Sequence, residues 1–294
     1  MRKIIRLIWL LVKRVANGFV CAWDKTDIFF DPVNHESTLT SGIIHASENT
    51  ACATVLNDKF FPYFLVFLKS VRLHNPWLSL PWLVFYSKNL SPLSQFNQNE
   101  LSNLYDKFQF LEINEEKYRA LAGQTPEHMI PALFSLECFR HTEFDRIVFL
   151  DSDMLCLGDI SSLFTLRADF AACMPGRDLA RKRRLAGYRT LSRGVNTGVM
   201  SIGRKYLNES VYAELFKHPS GAVADQDIIN RFFRFKRVRY ISPDFNCHAE
   251  FFWNDQQRDP DVRLLHYAGV KPLQAPDLPK MKIWFEHRQR FGLA

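Results

Sequence analysis

The sequence predicts an α/β fold, a domain with a mixed and mostly parallel central sheet. Short apolar runs that are typical of buried strands alternate along the chain with segments of helical pattern. One run, residues 147–150, reads Ile-Val-Phe-Leu without polar alternation, as expected of a central strand that helices cover on both faces. The 294 residues are 47% hydrophobic, which is enough for a packed core and excludes a disordered protein.

Each expected element follows from its local pattern. Strands are expected where aliphatic and aromatic residues cluster, over residues 50–56, 82–86, 108–113, 146–150, 170–174, 199–202, 239–241 and 262–266. Helices are expected over residues 62–74, 129–140, 161–164 and 224–233, the first opened by Pro62, which suits a first helical turn. Because helices separate the early strands, we expect parallel pairing through right-handed crossovers.

Two carboxylates, Asp151 and Asp153, follow the central strand directly. Side chains two residues apart in an extended chain point the same way, so both can enter the crevice where open α/β sheets bind ligands. Two converging carboxylates repel each other unless a cation lies between them, and hard oxygen ligands suit Mg²⁺, Ca²⁺ or Mn²⁺. A strand end with two solvated carboxylates is the alternative that so short a pattern leaves open.

The formal net charge of +7 is concentrated in one segment. Residues 177–193 hold one acid, Asp178, and seven basic residues, which are Arg177, Arg181, Lys182, Arg183, Arg184, Arg189 and Arg193. Such a segment binds phosphates, anionic lipid or nucleic acid, or is a solvated loop. We expect no nucleic-acid partner, because the basic run lacks interleaved aromatic residues.

Both ends of the chain mix basic residues with aromatic and aliphatic ones. On a helix, residues 1–23 place their cations on one face and Trp9 and Phe19 on the opposite face, the pattern of an amphipathic helix in a membrane interface. Residues 24–48 resemble an irregular connector, and residues 276–294 form a basic, aromatic C-terminal tail. Docking of both ends on the protein's own core is the alternative. Six cysteines without a CxxC pair favour a reducing compartment, so we expect a cytoplasmic protein peripherally attached to the anionic surface of the cytoplasmic membrane.

Four segments carry a resemblance to a known family. They are Asn57-Asp58-Lys59-Phe60, Asp151-Ser152-Asp153, Asn196-Thr197-Gly198-Val199 with Asp225-Gln226-Asp227, and His266-Tyr267-Ala268-Gly269-Val270-Lys271. In this order they resemble glycosyltransferase family eight, retaining sugar-nucleotide transferases that include glycogenin and bacterial lipopolysaccharide galactosyl- and glucosyltransferases. The resemblance implies a single GT-A domain, a Rossmann-like nucleotide-sugar transferase fold, over residues 49–275, with the N-terminal amphipathic helix as an extension.

The resemblance implies a metal site that holds Mn²⁺, with Mg²⁺ as the other candidate ion. In that family the Asp-x-Asp pair binds Mn²⁺ together with a histidine near the end of the domain, which correspond here to Asp151, Asp153 and His266. An imidazole and two carboxylates are a chemically sensible set, and the phosphates of a bound nucleotide would complete it. Taken by itself, a histidine at a strand end is more often a hydrogen-bonded structural residue.

The resemblance also implies which residues bind a UDP-sugar donor. They are Asn57, Asp58, Phe60, Ser152, Asn196, Gly269 and Lys271, with Asp225 and Gln226 as the catalytic pair. Lys271 would contact the diphosphate, Gly269 would let the backbone approach it, and Phe60 would stack on uracil. Gln226 would lie near the reacting anomeric carbon. The alternative role for Asp225 and Asp227 is to cap the start of a helix.

The expected reaction moves a hexose, galactose or glucose, from UDP to a glycan or glycolipid acceptor such as lipopolysaccharide or surface polysaccharide, with retention of configuration. Negative charge grows on the departing diphosphate, so a metal and Lys271 would stabilise it. The resemblance favours front-side attack with Gln226 stabilising the sugar, and it leaves Asp225 open as a transient nucleophile. The alternatives are an inverting transferase, with Asp225, Asp227 or Asp244 as base, and a non-catalytic glycan- or lipid-binding protein.

The chain departs from the family pattern on the cationic side of the site. Residues 131–137 contain no Arg or Lys, although relatives usually carry one in the helix before the Asp-x-Asp strand. Lys271 comes one residue early, and Phe60 stands where relatives usually have a tyrosine. We hypothesise that Arg177 or Arg181 supplies the missing cation.

Overall fold

The computed structural model describes residues 49–176, 179–251, 253–254, 257–258 and 260–293. These residues fall within one compact unit, Ser37–Ala294. The amphipathic helix and connector expected at residues 1–48 lie outside the described residues. None of the helices in the described part of the chain has the length and apolar character needed to cross a membrane.

The strands are β1 (Thr50–Val55), β2 (Trp82–Tyr86), β3 (Phe108–Glu112), β4 (Arg146–Leu150), β5 (Met154–Cys156), β6 (Phe170–Cys173), β7 (Arg189–Leu191), β8 (Asn196–Gly203), β9 (Arg237–Ile241), β10 (Cys247–His248), β11 (Trp253–Asn254), β12 (Gln257–Arg258) and β13 (Leu264–His266). Among the described residues, eight of them form a central sheet in the order β3-β2-β1-β4-β8-β6-β9-β7. β3, β2, β1 and β4 pair in parallel, whereas β8 is antiparallel to β4 and β6. The expected mixed and mostly parallel sheet is confirmed.

The helices are α1 (Phe61–His74), α2 (Gln95–Leu104), α3 (Glu115–Leu121), α4 (Ser162–Thr165), α5 (Leu179–Leu185), α6 (Glu209–Leu215), α7 (Ala224–Phe233) and α8 (Lys282–Arg290). Short 3-10 turns occur at Arg204–Tyr206, Pro243–Phe245, Ala249–Phe251, Pro272–Gln274 and Pro279–Met281. The helix expected at 129–140 is instead a 3-10 helix over Glu127–Arg140, and it contains Pro131, which lacks the N–H that an α-helix needs there. The sequence did not indicate α2, because only Leu101 in it is buried and its apolar periodicity is therefore weak.

The central strands bury both faces, as the unbroken apolar run predicted. Ile147 and Phe149 of β4 belong to one hydrophobic cluster, together with residues of Glu127–Arg140 and α7. Val148 and Leu150 belong to a second cluster, on the face where α1 packs. The described cysteines, Cys52, Cys138, Cys156, Cys173 and Cys247, are buried.

The C-terminal tail contributes to a third hydrophobic cluster. Ile283 and Trp284 of α8 are buried there with Tyr63 and Val66 of α1, and the rings of Tyr63 and Trp284 lie 5.7 Å apart. The sequence interpretation of Trp284 as a membrane-facing residue is therefore wrong, because the apolar face of α8 is already covered by α1. For this end of the chain, docking on the protein's own core is the correct alternative.

The small sheet β10-β13-β5 lies next to the carboxyl end of β4. β13 runs parallel to β10 and antiparallel to β5, and His266 is the register partner of Met154. Residues 151–153 connect β4 of the central sheet with β5 of the small sheet. The Asp-Ser-Asp segment is therefore the corner between the two sheets, and the last residue of β13 lies beside it.

Candidate metal and donor site

Asp151, Asp153 and His266 converge at the corner between the two sheets. One ligand atom of each lies within 4.8 Å of the others. The Nε2 atom of His266 is 3.4 Å from Oδ2 of Asp151 and 3.3 Å from Oδ1 of Asp153. The side chains of Asp153 and His266 are 7% exposed, whereas that of Asp151 is 38% exposed, so the cluster opens to solvent on the Asp151 side. Two carboxylate oxygens and one imidazole nitrogen form a donor set that suits Mn²⁺ or Mg²⁺.

The ionisable groups of the cluster lie close enough to shift one another's pKa values. Burial, with the negative charges of Asp153 and Asp225, raises the pKa of Asp151 against the opposing effect of His266. Burial would also raise the pKa of Asp153, but contacts with His266 and Lys271 outweigh it and lower that pKa. Burial would lower the pKa of His266, yet the adjacent Asp153 and Asp151 raise it. The cluster therefore attracts positive charge, and a divalent cation would compete with the protons held there.

Lys271 connects the cluster to the aromatic ring of Phe60. Its ammonium group contacts the carboxylate of Asp153 and donates a hydrogen bond to the Tyr267 carbonyl oxygen at 2.8 Å. The same nitrogen lies 5.4 Å from the centroid of the Phe60 ring. Gly269, in the connection between His266 and Lys271, has a φ of 83°, a left-handed conformation that favours glycine. The structure thus brings together the residues expected at the metal, the diphosphate and the base.

Asn57 and Asp58 hold the local backbone between β1 and α1. The Oδ1 atom of Asn57 accepts a hydrogen bond from the Phe60 backbone N–H at 2.9 Å. The Oδ1 atom of Asp58 accepts from the Ser94 N–H at 2.8 Å and from Asn97 Nδ2 at 2.7 Å, at the start of α2. Burial would raise the pKa of Asp58, but these donors outweigh it and lower that pKa. One carboxylate oxygen of Asp58 is therefore hydrogen-bonded to residues at the start of α2.

The start of α7 places Asp225 and Gln226. Asp225 is buried and its Oδ2 accepts from Ser135 Oγ at 2.7 Å, while burial raises the pKa of its carboxyl to about 6. Gln226 Oε1 accepts from Asn196 Nδ2 at 3.2 Å. Asp227 Oδ2 accepts from the Val223 backbone N–H at 2.8 Å. Of the two acids at this helix start, Asp227 therefore takes the capping role.

The sequence interpretation missed Asn246, Gly198 and Ser135. Asn246 Oδ1 lies 2.8 Å from Nδ1 of His266. A Cβ atom added at Gly198 would stand 2.9 Å from both Asp151 Oδ2 and His266 Cε1, so the cluster requires a residue without a side chain there. The glycine was visible within the Asn-Thr-Gly segment, but no local pattern marks Asn246 or Ser135. Ser152, between the two aspartates, is itself buried.

Only part of the basic segment, residues 177–193, lies among the described residues. Arg177 and Asp178 lie outside the described residues, and Arg181 is exposed on α5. Lys182 on the same helix is buried, and burial lowers the pKa of its ammonium group. The hypothesis that Arg177 or Arg181 replaces the missing cation therefore stays a prediction.

Comparisons with known proteins agree with this fold. The chain is similar to the galactosyltransferase LgtC, solved with donor and acceptor sugar analogues, at 20% identity and a TM-score of 0.59, over 82% of this chain and 95% of that one. It is also similar to the glycosyltransferase GlyE of Streptococcus pneumoniae TIGR4, at 18% identity and a TM-score of 0.56, over 81% of this chain and 59% of that one. These likenesses show the GT-A fold. No curated protein sequence matches the chain significantly.

A family model extends over most of the chain. The model described as Glycosyl transferase family 8 matches residues 51–274, which include each segment that carried the resemblance in the sequence. The match begins within β1 and ends just beyond Lys271. The chain belongs to glycosyl transferase family 8.

Proposed function

We propose that this glycosyltransferase moves a hexose from a UDP-sugar to a glycan or glycolipid acceptor and depends on Mn²⁺ or Mg²⁺. The observation that supports the proposal is the convergence of Asp151, Asp153 and His266 with Lys271 on the Asp153 carboxylate. Three ligand atoms and one ammonium group within a single corner suit a nucleoside diphosphate, which carries several negative charges. Phe60, beside Lys271, offers an aromatic face to the base.

The metal would be held by Asp151, Asp153 and His266, and when bound it would supply positive charge to the diphosphate as the glycosidic bond breaks. Lys271 shares that task from the opposite side of Asp153. When phosphate oxygens bind, the ammonium group would share its hydrogen bonds between them and the Asp153 carboxylate, because it can donate to both. A positioned cation of this kind lowers the barrier by about 4 kcal/mol, roughly a thousandfold in rate.

Retention of configuration is proposed because each candidate base forms a contact with another residue of the protein. Asp225 accepts from Ser135, Asp227 caps α7, and Asp244 forms an ion pair with Arg183 at 2.7 Å. These contacts do not favour a role for any of the three carboxylates as a base. Inversion requires such a base to activate an acceptor hydroxyl on the far face of the sugar. Front-side attack, with Gln226 beside the anomeric carbon, is the mechanism that these contacts support.

The proposed donor is UDP-galactose or UDP-glucose, and the proposed acceptor is lipopolysaccharide or surface polysaccharide at the cytoplasmic membrane. LgtC, which has a similar fold, is described as a galactosyltransferase. Residues 1–23 are the proposed attachment to anionic lipid, since the aromatic residue Trp284 of the C-terminal tail is buried.

Donor turnover tests the catalytic proposal. The wild-type protein, incubated with a panel of UDP-sugars with and without Mn²⁺, should release UDP from one hexose donor only when the metal is present. Asp153→Asn should lower the rate by roughly a thousandfold, because it removes the negative charge of a ligand to the metal. Equal release by both proteins would refute the proposal. The anomeric configuration of the product, read by NMR, separates retention from inversion.

Vesicle binding tests the membrane proposal. The full chain should sediment with vesicles that contain anionic lipid and should be released by salt, whereas a chain that lacks residues 1–23 should stay in solution. Hydrolysis of free UDP-sugar should be equal for the two chains. Sedimentation of the shortened chain with the same vesicles would contradict attachment by residues 1–23.

A further inference from the structure

A chain of side-chain hydrogen bonds runs from the start of α7 to the candidate metal ligand His266. Gln226 Oε1 accepts from Asn196 Nδ2 at 3.2 Å, and Asn196 Oδ1 accepts from Asn246 Nδ2 at 2.6 Å. Asn246 Oδ1 then meets His266 Nδ1 at 2.8 Å. The chain therefore joins a residue expected at the donor sugar to a residue expected at the metal.

A backbone group decides the direction of every bond in this chain. The N–H of Gly198 lies 3.1 Å from Asn196 Oδ1, and a backbone N–H can only donate. The atom of Asn196 that it meets must therefore be the carbonyl oxygen of the amide. The Nδ2 group of Asn196 then points to Gln226 and must donate to it. The oxygen of Gln226 is thereby used, and its NH₂ group takes no part in this chain of hydrogen bonds.

The carbonyl oxygen of Asn196 also orients Asn246 and, through it, the imidazole. The atom of Asn246 that meets the Asn196 oxygen must be a donor, so its own carbonyl oxygen faces His266. An oxygen without hydrogen can only accept, so Nδ1 of His266 carries a proton. In the neutral imidazole the lone pair is then on Nε2, the nitrogen that lies 3.3 Å from Asp153 and 3.4 Å from Asp151. That is the tautomer that binds a metal through Nε2.

Burial strengthens the hydrogen bonds that set this orientation. Asn246 is 3% exposed and His266 is 5% exposed, so water does not compete well for their hydrogen bonds. Cys247, which follows Asn246, is the register partner of Leu265, which precedes His266. The pairing of β10 with β13 therefore sets the distance between the amide and the imidazole.

We propose that Asn246 is a positioning residue that holds His266 in its metal-binding tautomer and couples it, through Asn196, to the orientation of Gln226. This inference rests on the metal site of the proposed function. Donor sugar and metal would then be recognised by one connected set of hydrogen bonds. A substitution at Asn246 would change both the orientation of Gln226 and the metal site.

Two substitutions at one position test the proposal. Asn246→Leu has similar size and no acceptor for Nδ1, so Mn²⁺ affinity should fall by about 10- to 100-fold. Asn246→Asp keeps an acceptor for Nδ1 and should bind Mn²⁺ at least as tightly as the wild type. The measurement is free Mn²⁺ by electron paramagnetic resonance, with UDP present. Asn230→Leu is the matched control, because Asn230 holds the backbone of Val195 without contacting His266, and it should bind Mn²⁺ like the wild type.

The outcomes separate this inference from the function on which it rests. Absence of Mn²⁺ binding by the wild type would overturn the metal site and the inference together. Wild-type affinity in Asn246→Leu would overturn the inference alone. If Asn246→Leu does not fold, nitrogen-15 NMR of the wild type saturated with Mg²⁺ and UDP decides the question. A protonated Nδ1 and an unprotonated Nε2 on His266 support the proposal, and a proton on Nε2 overturns it.

Discussion

The Oδ2 atom of Asp151 and the Nε2 atom of His266 lie 3.4 Å apart, although one residue follows a strand of the central sheet and the other ends a strand of the small sheet. Gly198 of β8 lies against both of them. The absence of a side chain at this one position of β8 lets the two sheets bring their polar residues together. The candidate metal site therefore depends on a residue that offers no ligand.

Gly198→Ala should damage the metal site without unfolding the domain. The added Cβ would stand 2.9 Å from Asp151 Oδ2 and from His266 Cε1, so one of the two must move. A shift of about 1 Å in a catalytic geometry can cost roughly a hundredfold in rate. We expect weaker Mn²⁺ binding and a comparable loss in kcat/KM.

The matched control is Val199→Ala, at the next, fully buried position of β8. It removes apolar volume without pressing on either ligand, so it should lower the free energy of unfolding by about 2 kcal/mol and leave Mn²⁺ affinity unchanged. Equal Mn²⁺ affinity in Gly198→Ala and the wild type would show that the ligands tolerate the methyl group.

Lys271→Met should lower kcat/KM for the UDP-sugar by roughly a thousandfold, because it removes about 4 kcal/mol of stabilisation from the departing diphosphate. Lys271→Arg keeps the charge and should recover part of the rate. Lys282→Ala, an exposed lysine on α8, serves as the control and should behave like the wild type. Steady-state release of UDP measures all three. A loss in Lys271→Met no greater than in the control would contradict a role at the diphosphate.

Asp225 should make stability depend on pH. Burial raises its pKa from 3.8 to about 6 in the folded state, so folding favours the protonated form. This contribution is fully present below pH 3.8 and is lost as the pH rises through about 6, at a cost of about 3 kcal/mol. Asp225→Asn should therefore be more stable than the wild type above pH 6, with the difference vanishing below pH 3.8.

Urea unfolding of the metal-free proteins across this pH range measures the difference. A constant gap between the two proteins at every pH would show that the substitution acts through packing and not through ionisation.

Phe60→Ala should weaken UDP binding by roughly 5- to 150-fold, the range expected when about 1–3 kcal/mol of base stacking is lost. Phe60→Tyr keeps the ring and should bind UDP at least as well as the wild type. Calorimetric titration with UDP and Mn²⁺ gives both affinities. Phe235→Ala changes a phenylalanine that is 82% exposed and should leave UDP binding unaltered. Wild-type affinity in Phe60→Ala would remove this residue from the donor site.

Trp284→Ala should lower the free energy of unfolding by about 4 kcal/mol, since the side chain is fully buried against α1. Trp284→Phe should cost less, because the indole Nε1 has no hydrogen-bond partner among the described residues and its loss leaves nothing unpaired. Chemical denaturation checks both values. Changes within about 0.5 kcal/mol for Trp284→Ala, as at an exposed site, would contradict the packing of α8.

The fold was predictable where the local pattern was strong. The run 147–150 predicted a strand buried on both faces, and alternate residues of β4 do face two different hydrophobic clusters. The pattern was misleading for Trp284, because a basic helix with aromatic residues looks the same whether its apolar face meets lipid or the protein's own core. α2, with a single buried residue, had too little apolar periodicity to be recognised.

The sequence by itself determined the central strands, the Asp-Ser-Asp pair and the family resemblance, because these depend on neighbours along the chain. Only the tertiary structure decided that Asn246 faces Nδ1 of His266, that Gly198 leaves room for two ligands, and that Trp284 is buried. Each of these contacts joins residues far apart in sequence. The first two are set by the registers of β8, β10 and β13, and the third by the packing of α8 on α1. A register is fixed by the packing of whole strands and not by the residues that use it.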